Sequence, residues 1–187
     1  KKEDGTIDEV EAERMLDYAI ESGVTYIDTA YPYHDGESEP FVGRVLKKYK
    51  REDFYLATKL PIFKIDSLEQ AKEIFEEQMK RLDVDYVDFY LLHALNKDTW
   101  KKVIDLNIIP YCEELKKQGR IKNFGFSFHD DYEVFEEIIN YRDWDFCQIQ
   151  LNYIDTDIQA GMKGYKLTEE KNVPLVIMEP IKGGALA

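Results

Sequence analysis

Strand and helix patterns alternate along this chain with few residues between them. This alternation most limits the folds that the chain can adopt. Near-continuous apolar runs with the length of strands occupy residues 24–28, 54–59, 86–92, 123–127, 146–152 and 174–179. Such runs are typical of parallel strands that are buried on both faces. Helical periodicity fills the intervals, and strand ends recur about every 23 to 34 residues, the length of a βα unit.

Six strands in βα alternation fit either a doubly wound open sheet or a (β/α)₈ barrel. An open sheet that binds a dinucleotide should carry a glycine-rich fingerprint after its first strand, but residues 28–33 read Asp-Thr-Ala-Tyr-Pro-Tyr. Polar side chains follow several strands rather than one switch point, which favours a barrel. We therefore predict an α/β fold, a (β/α)₈ TIM barrel of which this chain supplies about six of the eight strands.

The length of 187 residues is short for such a barrel, which needs about 250. No strand fits before Thr6, and the chain stops just after the sixth run. We therefore expect residues 1–187 to be a single, incomplete barrel domain from a longer protein, without an internal linker.

The charge balance limits the possible partners. A net charge of −13 at pH 7 disfavours nucleic acid and anionic membrane surfaces, because both bind basic surfaces. No apolar run approaches the roughly 18 residues of a membrane span. The opening Lys-Lys-Glu-Asp-Gly leads us to expect no signal peptide. Cys112 and Cys147 lack partner spacing, and no histidine, cysteine and carboxylate pattern indicates a metal site. These features predict a cytoplasmic protein with free buried thiols.

Four polar residues stand where successive apolar runs end: Asp28, Tyr33, Lys59 and His93. Hydride transfer to a carbonyl builds negative charge on oxygen, so a neighbouring group must supply a proton. A tyrosine with a pKa of about 10 is a reluctant acid, and a nearby lysine ammonium lowers that pKa. A carboxylate would hold the lysine charged, and an imidazole would orient the carbonyl. Together these residues predict a site that delivers a proton to the carbonyl oxygen of a substrate.

Each of these residues also has an ordinary structural explanation. Asp28 could cap a turn, Lys59 could be a solvated strand end, and His93 could be a hydrogen-bonded core histidine. Tyr31 and Tyr33 share one loop, so one of them is expected only to pack. Four coincidences at corresponding strand ends are improbable, and the combination therefore favours a catalytic site.

The motifs around these residues resemble those of the aldo-keto reductases. The matching segments are Asp28-Thr-Ala-x-x-Tyr33, Ala57-Thr-Lys59, Leu91-Leu-His93, Gly36-Glu-Ser-Glu39 with Gly43-Arg44, and the Gly-Arg-Ile-x-x-Phe-Gly-Phe-Ser segment at 119–127. The resemblance covers nearly the whole chain. It implies that the strands are the second to seventh of the barrel, and that the first and eighth strands and the C-terminal helices are missing.

The resemblance also implies an activity: NAD(P)H-dependent reduction of a small aldehyde or ketone to an alcohol. In this assignment Tyr33 donates the proton, Lys59 lowers its pKa, Asp28 pairs with Lys59, and His93 orients the carbonyl. Tyr33 is preferred to Tyr31 because the phenol of the family lies five residues after its aspartate.

The implied cofactor is NADPH, with NADH as the alternative. Ser127 and Gln148 match positions that hold the nicotinamide carboxamide, and Gly183-Gly184 matches a pyrophosphate turn. Met178 stands where many members stack an aromatic ring on the nicotinamide. Phe128 replaces an asparagine that contacts the carboxamide in many members, and His129 follows it.

The segments 125–130 and 178–184 are similar to a prokaryotic branch whose full-length members often carry a C-terminal iron–sulfur segment. The two cysteines of this chain are too few to ligate such a cluster, so it would lie in a part of the full-length protein absent here. The substitutions at Phe128 and Met178 also support a second hypothesis, a nicotinamide-binding redox-sensing or regulatory subunit with little turnover. The sequence does not address the oligomeric state.

Overall fold

The computed structural model describes residue 2 and residues 5–187. Within these residues the chain forms one sheet of six parallel strands: β1 Tyr26–Asp28, β2 Tyr55–Leu60, β3 Val87–Leu95, β4 Ile121–Phe128, β5 Phe146–Gln150 and β6 Leu175–Met178. Each strand pairs with the next in chain order. A doubly wound sheet reverses its strand order at a switch point, whereas this sheet does not, so the predicted barrel topology is confirmed.

Seven α-helices alternate with these strands in the part of the chain that the structure describes: α1 Glu9–Glu21, α2 Ser38–Leu46, α3 Leu68–Leu82, α4 Lys97–Asp105, α5 Ile108–Lys117, α6 Tyr132–Tyr141 and α7 Gly161–Lys171. The side chain of Ser67 caps α3 by accepting from the Gln70 amide at 3.2 Å. Helix α1 is capped by Asp8, whose carboxylate accepts from the Glu11 amide. None of the described helices is long and apolar enough to cross a membrane.

The strands separate two apolar layers because successive side chains point to opposite faces. Leu56 and Leu60 of β2 belong to the large outer core beneath the helices. Ala57 of the same strand joins a smaller inner cluster with Leu91 and Phe146. Lys59 shares the face of Ala57, so the alternation directs its side chain toward the interior of the barrel.

A close helix contact supports the loop that carries Tyr33. A Cβ added at Gly43 of α2 would lie 2.6 Å from the Leu82 carbonyl oxygen at the end of α3. The absence of a side chain therefore lets α2 approach α3 closely. This contact fixes the position of α2 against the end of α3, directly after the loop that contains Tyr33.

Strand β3 extends beyond its predicted end. The apolar run stopped at residue 92, whereas β3 continues through His93 to Leu95. The β3–β4 register shifts between Leu92 and Leu95, and Ala94 has a left-handed φ of 54°. The extra residue of this bulge explains why the apolar alternation breaks at His93 while the strand goes on.

Candidate active site

The ammonium group of Lys59 lies at the centre of the site. Its Nζ forms an ion pair with Asp28 Oδ1, and it donates to the Thr29 carbonyl oxygen at 2.9 Å and to the Tyr33 hydroxyl at 3.1 Å. A lysine ammonium has three donors, and all three are used here. The Lys59 side chain is only 2% exposed, so the charge is buried but fully hydrogen-bonded.

The loop after β1 places the Tyr33 ring over Lys59, with Lys59 Nζ 4.6 Å from the ring centroid, and the chain turns sharply just after Tyr33. His34 and Asp35 have φ values of 53° and 55°, and Gly36 follows at 94°. Consecutive left-handed residues turn the chain sharply, and such strained backbone concentrates at functional sites. The Tyr33 side chain remains 39% exposed, so its hydroxyl contacts Lys59 on one side and stays accessible from the mouth of the barrel.

The bulge in β3 presents His93 to the same mouth. The His93 ring centroid lies 5.6 Å from that of Tyr33 and 5.7 Å from that of Phe63. The Ala94 amide donates to Ser127 Oγ at 2.8 Å, which ties the bulge to strand β4. Ser127 therefore has a structural contact that its sequence context did not indicate.

The imidazole of His93 is held neutral. Burial, together with the charge of Lys59 and the nearby His129, lowers the pKa of His93 to about 3. Its Nδ1 is buried and has no hydrogen-bond partner among residues 2 and 5–187. A neutral imidazole keeps one ring N–H that can donate a hydrogen bond, but it is a far weaker acid than the imidazolium form.

The neutrality of His93 leads to a stability prediction. In the unfolded chain a histidine titrates near pH 6.5, whereas native His93 resists protonation until about pH 3. Protonation therefore favours the unfolded state between these values, so His93 should weaken folding as the pH falls from 6.5 toward 3. We expect His93→Gln to reduce the slope of unfolding free energy against pH in this window, measured by urea denaturation. An unchanged slope would contradict the burial argument.

The second carboxylate oxygen of Asp28 is also occupied. Gln148 Nε2 donates to Asp28 Oδ2 at 3.2 Å, and the Tyr26 hydroxyl donates to the same oxygen at 3.3 Å. Tyr26 is not among the site residues that the sequence motifs predict. Its position two residues before Asp28, on the same face of β1, was the available signal.

A buried polar network supports Lys59 from behind the sheet. Glu39 accepts from Thr58 Oγ1 at 2.6 Å and from Gln78 Nε2 at 2.8 Å, and Gln78 Nε2 also lies 3.0 Å from the Lys59 carbonyl oxygen. The Tyr90 hydroxyl donates to Gln78 Oε1 at 2.8 Å. Burial raises the pKa of Glu39, while the bonds from Thr58 and Gln78 oppose that shift. These long-range contacts carry no local sequence signal.

Tyr31 occupies different surroundings from Tyr33. Its hydroxyl donates to Glu77 of α3 at 2.8 Å, and the Arg81 guanidinium lies 4.1 Å from its ring centroid. Tyr31 therefore packs against α3, while Tyr33 reaches Lys59.

The residues predicted to hold the nicotinamide carboxamide lie side by side. Ser127 and Gln148 are register partners on β4 and β5, and both are almost fully buried. Ser127 can still donate its hydroxyl proton, and Gln148 offers its carbonyl oxygen. Phe128 points to the opposite face and packs on Phe135, with ring centroids 5.2 Å apart. His129 is exposed on the rim.

The other predicted cofactor residues follow the last strands. Met178 ends β6 and is half-buried. Gly183 and Gly184 form an exposed turn with φ values of 65° and 95°, and an added Cβ would meet nothing within 4 Å. The open turn leaves room for a phosphate beside its backbone, and the Ser127 hydroxyl and Gln148 amide suit a carboxamide. The residues present therefore fit a nicotinamide dinucleotide.

The two cysteines lie apart in the core. Both are free and buried, Cys112 in α5 and Cys147 in β5. Burial raises the pKa of Cys147 to about 12 and that of Cys112 further. Within residues 2 and 5–187, no group of three or more histidine, cysteine or acidic side chains could hold a metal ion.

This chain is similar in sequence to known proteins. The model of the aldo/keto reductase family matches residues 1–187. An oxidoreductase of Bacillus subtilis (strain 168), YqkF, described as uncharacterized, is 31% identical over an alignment of 181 residues that covers 92% of this chain and 56% of that protein. The NADH-specific methylglyoxal reductase of Escherichia coli (strain K12) is 26% identical over an alignment of 186 residues that covers 88% of this chain and 54% of that protein.

A solved structure shows the same fold. The holo form of aldo-keto reductase AKR11C1 from Bacillus halodurans superposes with a TM-score of 0.77 and 33% identity, over 97% of this chain and 59% of that one. The six parallel strands therefore correspond to part of a (β/α)₈ barrel. The chain spans little more than half the length of these relatives.

Proposed function

Because the chain belongs to the aldo/keto reductase family, we propose that it forms part of an NAD(P)H-dependent oxidoreductase that reduces aldehydes or ketones to alcohols. We also propose that residues 1–187 all belong to a single, incomplete aldo-keto reductase-like barrel domain. One observation supports the activity most directly. The Lys59 ammonium donates to the Tyr33 hydroxyl at 3.1 Å, while its other two donors are used by Asp28 and Thr29.

In the proposed reaction, a reduced nicotinamide held by Ser127 and Gln148 would supply the hydride for the carbonyl carbon. Tyr33 then transfers its hydroxyl proton to the carbonyl oxygen as negative charge develops there. Lys59 stabilises the phenolate that this transfer leaves on Tyr33, because the ammonium is buried and already in place. Asp28 keeps Lys59 charged and oriented. Neutral His93 offers a ring N–H to the carbonyl oxygen and so orients the substrate.

The proposed cofactor is NADPH, with NADH as the alternative that the name of the E. coli relative supports. Ser127 and Gln148 would hold the carboxamide, Met178 would pack against the nicotinamide ring, and the Gly183–Gly184 turn would lie against the pyrophosphate. An iron–sulfur cluster is proposed only for a segment outside these 187 residues, because the two cysteines here are separately buried.

The proposed substrate is a small-molecule carbonyl compound. Tyr33 and His93 face the mouth of the barrel, and Phe63, 48% exposed, forms an apolar wall beside the His93 ring. The E. coli relative is named as a methylglyoxal reductase, which makes short 2-oxoaldehydes the first compounds to test. The free buried thiols and negative charge fit a cytoplasmic protein that binds neither nucleic acid nor membranes.

Stopped-flow measurement of NADPH and NADH oxidation tests the activity in the full-length protein. The protein and reduced nucleotide are mixed with a panel of carbonyl compounds that includes methylglyoxal, aromatic aldehydes and ketones. We expect a rapid loss of the nucleotide absorbance at 340 nm. Tight binding of either nucleotide without hydride transfer to any member of the panel would overturn the proposal. That outcome would instead support the redox-sensing or regulatory subunit.

A further inference from the structure

A second tyrosine reaches the proton-delivery site from inside the barrel. Tyr26 lies on β1, and its ring packs edge-on against Phe89 with the centroids 5.3 Å apart. Its hydroxyl lies 3.3 Å from Asp28 Oδ2. Burial, followed by the charge and hydrogen bond of Asp28, raises the pKa of Tyr26 well above its usual range. The Tyr26 hydroxyl therefore remains protonated and can donate throughout the working pH range.

The contact matters because the Asp28 carboxylate has two oxygens with different partners. Oδ1 pairs with Lys59, while Oδ2 accepts from Gln148 at 3.2 Å and from Tyr26. Donors on Oδ2 fix the carboxylate plane, so that Oδ1 faces the ammonium. They also draw negative charge toward Oδ2, which leaves more of the Lys59 charge available to Tyr33.

We propose that Tyr26 is a positioning residue of this site, which acts through Asp28 on the Lys59–Tyr33 pair. This inference rests on the proposed function, since it assigns Tyr26 a place in the same proton transfer. Tyr26 itself does not touch Lys59 or the reacting atoms. The Tyr26 hydroxyl and the Gln148 amide both donate to Asp28 Oδ2. Loss of one of these hydrogen bonds should therefore lower the activity of the site without abolishing it.

The neighbouring strand supplies a matched control. Tyr55 is the register partner of Tyr26, and its ring also packs on Phe89, at 6.1 Å between centroids. The Tyr55 side chain forms no hydrogen bond within the described residues and is 54% exposed. Tyr26→Phe and Tyr55→Phe therefore remove the same atom beside the same aromatic ring, but only the first change affects Asp28.

We expect Tyr26→Phe to lower kcat about five- to tenfold in the full-length protein, with the KM for NADPH within about twofold of the wild type, because one hydrogen bond to a charged group is lost. The alkaline limb of the kcat profile should move to higher pH, since Lys59 would then stabilise the phenolate less. Tyr55→Phe should leave both unchanged. A merely structural role for Tyr26 would lower stability without moving the pH profile.

A second measurement keeps this inference separate from the proposed function. In protein labelled with ¹³Cζ-tyrosine, the NMR titration of Tyr33 can be followed without any turnover. An upward shift of its midpoint in Tyr26→Phe, absent in Tyr55→Phe, supports the inference even if no carbonyl substrate is found. Equal midpoints and equal kcat profiles in the wild type and Tyr26→Phe would overturn it, whatever the activity of the wild type.

Discussion

Replacing Tyr33 by phenylalanine in the full-length protein should lower kcat for aldehyde reduction by about 10²–10⁴-fold, the contribution of a positioned general acid. The substitution removes only the hydroxyl that lies 3.1 Å from Lys59 Nζ. NADPH affinity, measured by fluorescence titration, should stay within about twofold, because the proposed carboxamide contacts come from Ser127 and Gln148. The ring keeps its edge-on contact with His93.

Tyr31→Phe is the natural control for this experiment. Tyr31 lies two residues away in the same loop, but its hydroxyl donates to Glu77 on α3. We expect it to retain near-wild-type kcat. If Tyr33→Phe turned over as fast as Tyr31→Phe, Tyr33 could not be the proton donor.

Lys59→Met should have the second large effect, on activity and stability together. Loss of a preorganised ammonium beside the developing charge should reduce kcat by about 10²–10³-fold. The change also leaves the Asp28 carboxylate without its cation. Breaking a buried pair costs about 3–5 kcal/mol, and the loss here should be at the lower end because the Asp28 side chain is 25% exposed. Urea denaturation at pH 7 measures it.

A double variant separates these two effects. Asp28→Asn removes the unpaired charge, so Lys59→Met with Asp28→Asn should recover more than about half of the lost stability. It should recover none of the activity, because no cation then faces Tyr33. Recovery of kcat in the double variant would show that the ammonium is dispensable, and no recovery of stability would show that the ion pair is not what Lys59 contributes to folding.

The parts of the site that could be predicted from the sequence follow from local pattern. Apolar runs identified the six strands because parallel strands are buried on both faces, and their regular spacing implied that Asp28, Lys59 and His93 would share one end of the sheet. The predicted limits were less accurate where backbone geometry departs from alternation. Strand β3 continues past residue 92 because a bulge at Ala94 preserves pairing with β4.

Other features depended on contacts between distant segments. In the sequence, only the resemblance to a family motif favours Tyr33 over Tyr31. In the structure the two tyrosines differ in their partners, since Tyr31 contacts Glu77 and Tyr33 contacts Lys59. The neutral state of His93 follows from burial and from the charge of Lys59, 34 residues earlier in the chain. Neither contact leaves a periodic trace in the sequence.

The sequence by itself determined the βα order and the residue types that the proposed proton transfer requires, because strand burial and side-chain chemistry are local properties. The tertiary structure alone decided how those side chains are held. The three donors of Lys59 are shared among Asp28, Thr29 and Tyr33, and Tyr26 and Gln148 occupy the far oxygen of Asp28. Hydrogen bonds between strands depend on register and on the folding of loops in space, and these arise only when the whole sheet assembles.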